Sequence, residues 1–336
     1  MSGDPAAHLA PVVRLAPAKL NLTLAVMGRR ADGYHDLHSV AVPLDLADRL
    51  SVGRSTARDD TLHVVGPDTG ADASNLVLRA IAAVRSAVAR MTPAPPLAAR
   101  LEKRIPVSAG LGGGSSDAAA ALEAALESWA IEPTTVDLGA LAASLGSDVS
   151  FFLVHAPALL EGRGERVTSL AGVRGAPPGI VLVTPAVGLP TAAVFDAYAG
   201  GAAPTTRGST RLTSEHLAAE LRRGLTAAEL VARAGVLATA NDLAAAAASL
   251  LPGLLPFRRA VARLLGRPVG LSGSGPTLWT LYPSLDAAAD AATTIRAAIA
   301  SGRLEPPGAA QPFVAATTIS SPAGSGWPHV PEGGRR

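Results

Sequence analysis

The sequence predicts an α+β protein of two domains, on three observations. Segments with the two-residue alternation of strands mix with segments of helical period, without the regular strand–helix alternation of a doubly wound sheet. Glycine and proline cluster in AGVRGAPPG (171–179), the best internal boundary, which separates a domain over 11–170 from one over 178–320. The 336 residues are enough to give two such domains a core. Residues 1–10 and 321–336 are rich in glycine, proline and polar residues without periodicity and are expected to be disordered tails.

In chain order, residues 18–27 alternate as a strand, with Leu20, Leu22, Leu24 and Val26 on one face and Lys19, Asn21 and Thr23 on the other, polar one. Residues 75–91 read as an amphipathic helix with Val77, Ala80, Val84, Val88 and Met91 on its apolar stripe. The alanine-rich run after residue 114 reads as a helix that turns Ala119, Leu122, Leu126 and Trp129 inward, and a further helix covers roughly 135–145. Beyond the boundary come a strand at 180–187, a helix from Thr191, a loop at 200–211 and a helical region over 213–265 interrupted by Gly224, Gly235 and Pro252–Pro256. PVGLSGSGPTLWTLY (268–282) reads as two strands around a glycine/serine turn. Helix 285–300 has acidic Asp286 and Asp290 at its start and Arg296 near its end, which suits its dipole, and 312–320 closes as a strand.

Composition narrows the chemistry. There is no cysteine, which removes disulfides, thiolate metal sites and cysteine nucleophiles. The amino terminus lacks the basic and apolar regions of a secretory signal, and the apolar runs are broken by Arg79, Arg85, Asp242 or Pro252, so the expectation is a cytoplasmic protein without membrane contact. Net charge is +2 and no basic block is interleaved with aromatics, so no nucleic-acid partner is expected. The oligomeric state, monomer or weak dimer, is left open. Of 29 basic residues only Lys19 and Lys103 are lysine, leaving 27 arginines. A compact, mobile ammonium differs from a planar guanidinium fork, which makes Lys19 a candidate for a role arginine cannot fill. Chance survival is the alternative reading for one of the two.

The most informative segment is PVSAGLGGGSSDAAAALEAAL (106–126). Its glycines let backbone N–H groups approach an anion, and the following helix adds unpaired N–H groups and a positive dipole end. A Walker loop is excluded because no lysine follows Lys103, and the spacing of a dinucleotide loop fails because its third glycine position is Ser115 or Asp117. On its own the run is equally an ordinary tight turn. Asp148, after Gly146-Ser147 and before an apolar run, is by itself a better helix N-cap than proton acceptor; beside Lys19 and the loop the order reverses.

AKLNL (18–22), RADGYHDL (30–37), the glycine loop, LGSDVSFF (145–152) and GLSGSGP (270–276) together resemble the GHMP small-molecule kinases, over about residues 14–320. RADGYH marks the branch whose acceptor carries cytidine. The resemblance implies a two-domain GHMP kinase fold: an N-terminal domain like ribosomal protein S5 domain 2 and a ferredoxin-like C-terminal domain. It implies transfer of the γ-phosphoryl of ATP, with Mg²⁺, to the 2-hydroxyl of the methylerythritol part of a cytidine-diphosphate-linked acceptor in the non-mevalonate route to isoprenoid precursors. ATP would be held by Pro106, Val107, Ser108, Ala109, Gly110, Leu111, Gly112, Gly113, Gly114, Ser115 and Ser116. Asp148 would take the hydroxyl proton and Lys19 would steer the hydroxyl. Asn21, Tyr34, His35, Thr191 and Phe195 would bind the acceptor, with Tyr34 and Phe195 on the two faces of the base and His35 at its edge. Phe195 reads equally as helix core. Gly273, Ser274 and Gly275 match the group's third glycine motif and would support the site from the second domain. Ser108-Ala109 stands where such loops are often richer in glycine, which should stiffen this one slightly. The Mg²⁺ ligands stay open among Ser115, Ser116 and Asp117. A kinase for homoserine, mevalonate or a sugar, and a nucleotide sensor without turnover, are the rival readings.

Overall fold

A computed structural model of the chain describes residues 10–67, 69, 73–202 and 207–320. The expected tails therefore lie outside the described residues except for Ala10, as does the 203–206 part of the expected loop.

The first half builds a seven-stranded sheet from β1 (Val12–Asn21), β2 (Ala25–Arg29), β3 (His35–Arg54) and β4 (Thr61–Val65), followed by α1 (Leu76–Val88) and β5 (Leu97–Glu102). After the glycine loop come α2 (Gly113–Ser128), α3 (Leu138–Leu145), the short α4 (Val149–Phe152), β6 (Ala158–Gly162) and β7 (Arg166–Ser169). The order is β4-β5-β3-β6-β7, and β1 and β2 also pair with β3. All pairs are antiparallel except β4 with β5. The long β3 is the spine: residues 49–54 pair with β5 and residues 37–41 with β6.

The expected continuous strand over 18–27 is broken: β1 ends at Asn21 and β2 resumes at Ala25, because Leu24 leaves the sheet to bond Ala240 and Asp242 through its backbone. Its polar face is not solvated either, since Lys19, Asn21 and Thr23 are all buried. Helix α1 begins where Asn75 accepts the amide of Val77 as N-cap, and it ends before Met91, which is 61% exposed and not part of the stripe. Helix α2 is buried on nearly every side, between the sheet, α1 and α4, which is why it is made of alanine.

The second half starts with β8 (Val173–Arg174) and β9 (Gly179–Thr184), then α5 (Thr191–Ala197), α6 (Arg207–Arg222) and β10 (Leu225–Thr226), which pairs with β8. Next come α7 (Ala227–Ala232), α8 (Ala234–Leu237), α9 (Ala244–Leu250), α10 (Leu254–Leu265), β11 (Gly270–Leu271), β12 (Leu278–Tyr282), α11 (Leu285–Ala300) and β13 (Phe313–Thr318). The antiparallel order β11-β12-β9-β13, with α11 between β12 and β13, is the ferredoxin-like arrangement. Residues 207–211 of the expected loop are the first turns of α6. Within helix 285–300, Ala288, Ala292 and Ile295 face the core as the spacing requires, whereas Leu285 is exposed at the first turn.

One apolar cluster lies between the first sheet and α1–α2, and another packs the second sheet against α9, α10 and α11. A third joins the two sheets: Leu20, Val42 and Leu44 meet Leu182, Trp279 and Leu281. Ala109 and Leu111 of the glycine loop plug into this shared cluster. The loop is thereby seated on a core built by both halves of the chain.

Candidate active site

Each carbonyl of the loop's central part is turned into the protein. Ser108 O accepts from the amide of Leu189 (3.2 Å), Ala109 O from Thr277 (3.3 Å), Gly110 O from the Ser272 hydroxyl (2.9 Å) and Leu111 O from the amide of Lys19 (2.8 Å). The amides of Gly110, Leu111, Gly112 and Gly113 have no acceptor among the described residues. Carbonyls tied back and amides left over are what a phosphate cradle requires. Two glycines are obligatory here. Gly110 (φ +74°) lies against the turn at 272–275, and Gly112 (φ +71°) lies against Lys19 and Phe152; a Cβ at Gly112 would stand 2.8 Å from Lys19 Cγ and 2.9 Å from Phe152 Cζ. Ser108 also takes a positive φ, +52°, where glycine would be unstrained.

The cradle faces a cavity of about 910 Å³ that both halves of the chain line. Lys19 and Asn21 reach it from β1, and their shared strand face makes the Lys19 ammonium bond Asn21 Oδ1 at 2.8 Å. Asn21 donates in turn to Ser39 Oγ (2.8 Å), so the amide is held at both ends. Asp148 precedes α4 but caps nothing: its side chain bonds no helix amide, and Oδ2 lies 3.2 Å from the Lys19 ammonium. Lys19 is 6% exposed whereas the Asp148 side chain is 35% exposed, so the carboxylate is the member of the pair open to the cavity.

Tyr34, His35, Thr191 and Phe195 line the same cavity. The exposed Tyr34 ring carries the Arg163 guanidinium 4.9 Å from its centroid. His35 stacks on Phe195 (centroids 5.2 Å apart, 22° between planes) and meets Tyr198 edge-on at 5.9 Å. Phe195 is thus an aromatic wall of the cavity, only partly buried against the core. Burial lowers the His35 pKa, with the Arg29 charge adding to it and Asp196 opposing, so the ring is neutral at pH 7. Thr191 and Ser274 bridge hydroxyl to hydroxyl at 3.1 Å, and Gly273 and Ser274 line the cavity. Leu111, Ser116 and Gly275 do not line it: Leu111 is core, Ser116 is buried at the start of α2, and Gly275 closes a turn onto Ser272.

The cavity also has walls that sequence reasoning missed, among them Asn75, Leu76 and Arg163, and Lys103 and Asp117, to which it gave no role at the cavity wall beyond Asp117 as a candidate Mg²⁺ ligand. Lys103 is a buried partner of Asp48 and, at 2.7 Å, of Asp117. Burial disfavours its ammonium, but the two carboxylates outweigh that and raise its pKa. Burial pushes the Asp117 carboxyl up to about 7 against the pull of Lys103. The rarity of lysine was the signal that could have pointed to Lys103. Among the described residues, no group of three or more histidines and carboxylates could hold a metal ion, and no helix is long and apolar enough to cross a membrane.

The GHMP kinases N terminal domain matches residues 75–155. The 4-diphosphocytidyl-2-C-methyl-D-erythritol kinase of Pelotomaculum thermopropionicum is 36% identical over 285 residues, covering 85% of this chain and 94% of the relative. The chain belongs to the 4-diphosphocytidyl-2-C-methyl-D-erythritol kinase family. The Deinococcus radiodurans kinase of that family is 39% identical over 274 residues, covering 81% of this chain and 85% of the relative. A crystal structure of a 4-(cytidine 5'-diphospho)-2C-methyl-D-erythritol kinase superposes with a TM-score of 0.66 at 35% identity, covering 91% of this chain and 99% of that one. A homoserine kinase from Cytophaga hutchinsonii, 17% identical, reaches 0.65 over 95% of this chain and 97% of its own, and so shares the fold. Within the 4-diphosphocytidyl-2-C-methyl-D-erythritol kinase family, the conjunction of an amide cradle, a Lys–Asp pair and an aromatic end in one cavity acquires a definite chemistry.

Proposed function

We propose that the chain transfers the γ-phosphoryl group of ATP to the 2-hydroxyl of 4-diphosphocytidyl-2-C-methyl-D-erythritol, a step of the non-mevalonate route to isoprenoid precursors. It is a small-molecule kinase by family, and one observation supports the acceptor above all: a single cavity holds the cradle, the Lys19–Asp148 pair and the Tyr34–His35–Phe195 end. Phosphoryl transfer is chiefly positioning and charge stabilisation. The free amides of 110–113 and the N-terminus of α2 bind the ATP phosphates, in the part supplied by residues 11–170. Residues 178–320 contribute Thr191, Phe195 and the 273–275 turn. Asp148 accepts the proton of the attacking hydroxyl while its oxygen forms the new bond to phosphorus and the bond to the ADP oxygen breaks. The Lys19 ammonium, fixed by Asn21, balances the charge on the transferring group. Tyr34 and Phe195 present ring faces to the cytosine, and neutral His35 can hydrogen-bond its edge.

Mg²⁺ binds one or two protein oxygens and keeps phosphate and water oxygens for the rest. Of Ser115, Ser116 and Asp117, Ser116 is buried away from the cavity and Asp117 is held by Lys103, so the Ser115 hydroxyl, which lines the cavity beside the loop, is the donor that fits it. Bound there, the ion would neutralise phosphate charge. The protein is proposed to act in the cytoplasm.

Incubating the protein with ATP and this acceptor, with and without Mg²⁺, should give ADP and phosphorylated acceptor in equal amounts. ATP binding without ADP formation would support a nucleotide sensor instead. An unchanged kcat/KM for an acceptor lacking cytidine would support a kinase of another small molecule.

A further inference from the structure

The phosphate loop contains four glycines and spans three residues of positive φ, so it has much conformational freedom to lose on ordering. Its two ends meet at one buried cluster. Asp48, fully buried on β3, accepts the amides of Arg104 and Ile105 (2.8 Å to the latter) with Oδ1, and accepts the Lys103 ammonium with Oδ2. This ties down the strand end that enters the loop. The same ammonium reaches 2.7 Å to Asp117 Oδ2, on the first turns of α2, where the loop ends. The space is tight: a Cβ at Gly113 would stand 3.3 Å from the Lys103 ammonium. A compact ammonium suits that space better than a planar guanidinium fork, which gives the second lysine a reason in a chain that otherwise uses arginine.

Buried ion pairs seldom add net stability over apolar packing, so a three-member one is better explained by what it positions. We infer that Asp48, Lys103 and Asp117 form a staple that closes the base of the phosphate loop and so preorganises its amides for ATP; they are positioning residues for the phosphoryl donor. This rests on the loop's role as the ATP cradle. The acceptor end is untouched, because Tyr34 and His35 lie where β3 begins, well before Asp48, and Phe195 lies on α5.

The test uses Asp117→Ala and Asp117→Asn in the full chain. The alanine variant cuts the link but leaves Asp48 and Lys103 as a charge-balanced pair, so no buried ammonium is left without a carboxylate. The asparagine variant retains an oxygen for the ammonium. Asp117→Ala should weaken ATP affinity about tenfold, as expected for one charge-assisted hydrogen bond. It should speed amide hydrogen exchange at Lys19, Leu189 and Thr277, whose amides donate to the loop carbonyls, in the nucleotide-free protein by a similar factor, and leave cytidine diphosphate affinity unchanged. Asp117→Asn should restore most of both. Unchanged exchange at those amides in Asp117→Ala overturns the staple, as does loss of ATP affinity in both variants without faster exchange, which would make Asp117 a direct nucleotide contact. An equal fall in cytidine diphosphate affinity overturns it too, by showing a general disturbance. The exchange measurement needs no turnover, so the staple can fail while the kinase reading stands, and the reverse.

Discussion

Gly110→Ala is the sharpest single perturbation of the cradle. Gly110 holds φ +74°, and an alanine Cβ there would lie 2.9 Å from Gly275 N, 3.0 Å from Gly275 O and closer still to the carbonyl oxygen of Ser272. These are backbone atoms of the turn that seats the loop, so no side-chain rotation relieves them. A left-handed alanine costs roughly 1–2 kcal/mol, and crowding in a packed site costs about 1–3 kcal/mol more. The sum, about 2–5 kcal/mol, is a fraction of an ordinary domain's stability, so the variant should fold. Its melting midpoint should drop by about 5 °C or more. The loop must part from the 272–275 turn by several tenths of an ångström, and misplacing the phosphates on that scale should lower kcat/KM by about 10²-fold. Steady-state kinetics beside a thermal melt reads both effects. Gly28→Ala is the control, since its Cβ would meet nothing within 4 Å. If Gly110→Ala kept kcat/KM within about threefold of the parent and melted with it, the account of the loop as a rigid cradle set by that turn would be wrong.

Asp148→Asn should keep ATP affinity and lower kcat by about 10²–10⁴; because the side chain caps no helix, the melt should not change, and unaltered turnover would remove Asp148 from the chemistry. Lys19→Arg keeps charge but cannot seat a planar fork between Asn21 Oδ1 (2.8 Å) and Asp148 Oδ2 (3.2 Å), so turnover should fall at least about tenfold while normal activity would show that the ammonium's shape is immaterial. Burial holds the His35 pKa below 6.5, so the neutral ring predominates above that pH. Acceptor KM should be flat from pH 7 to 8 and rise as pH falls through the lowered value; a KM that worsened from pH 7 to 8 would contradict a neutral imidazole at the base.

What the sequence made legible was local. Alternation put Lys19 and Asn21 on one strand face, and the structure converts that parity into a 2.8 Å hydrogen bond. The bounds of helix 285–300 were legible to the residue because Ser284 caps it, accepting the amide of Ala287, and because its apolar stripe holds from Ala288 onward, Leu285 alone of that stripe being exposed, at the first turn. The first break came at Leu24, whose backbone pairs with Ala240 and Asp242, far away in sequence, so periodicity carried no trace of where β1 stops. Met91 fitted a helical stripe by spacing, but spacing does not record that the helix ends at Val88. For Asp148, the flanking residues favoured an N-cap; the hydrogen bonds of α4 exclude the cap, and only the fold could supply that.

The two lysines show the boundary between these kinds of information. Composition alone singled out both and could assign neither, because a residue's rarity says that its shape matters and not what it touches. Lys19 could be placed because its strand partner and its motif neighbours lie within a few residues. Lys103 meets Asp48 from 55 residues before it and Asp117 from 14 after, a juxtaposition that exists only once β3, β5 and α2 have packed. The glycine loop reads in the same way. Its sequence offers flexible backbone, which as easily makes a linker as a cradle. The difference lies in four carbonyls tied back by Leu189, Thr277, Ser272 and Lys19, three of them from the second half of the chain. An anion site of this kind is therefore a property of the docked halves, and separating them should abolish it even though every residue of the loop belongs to the first.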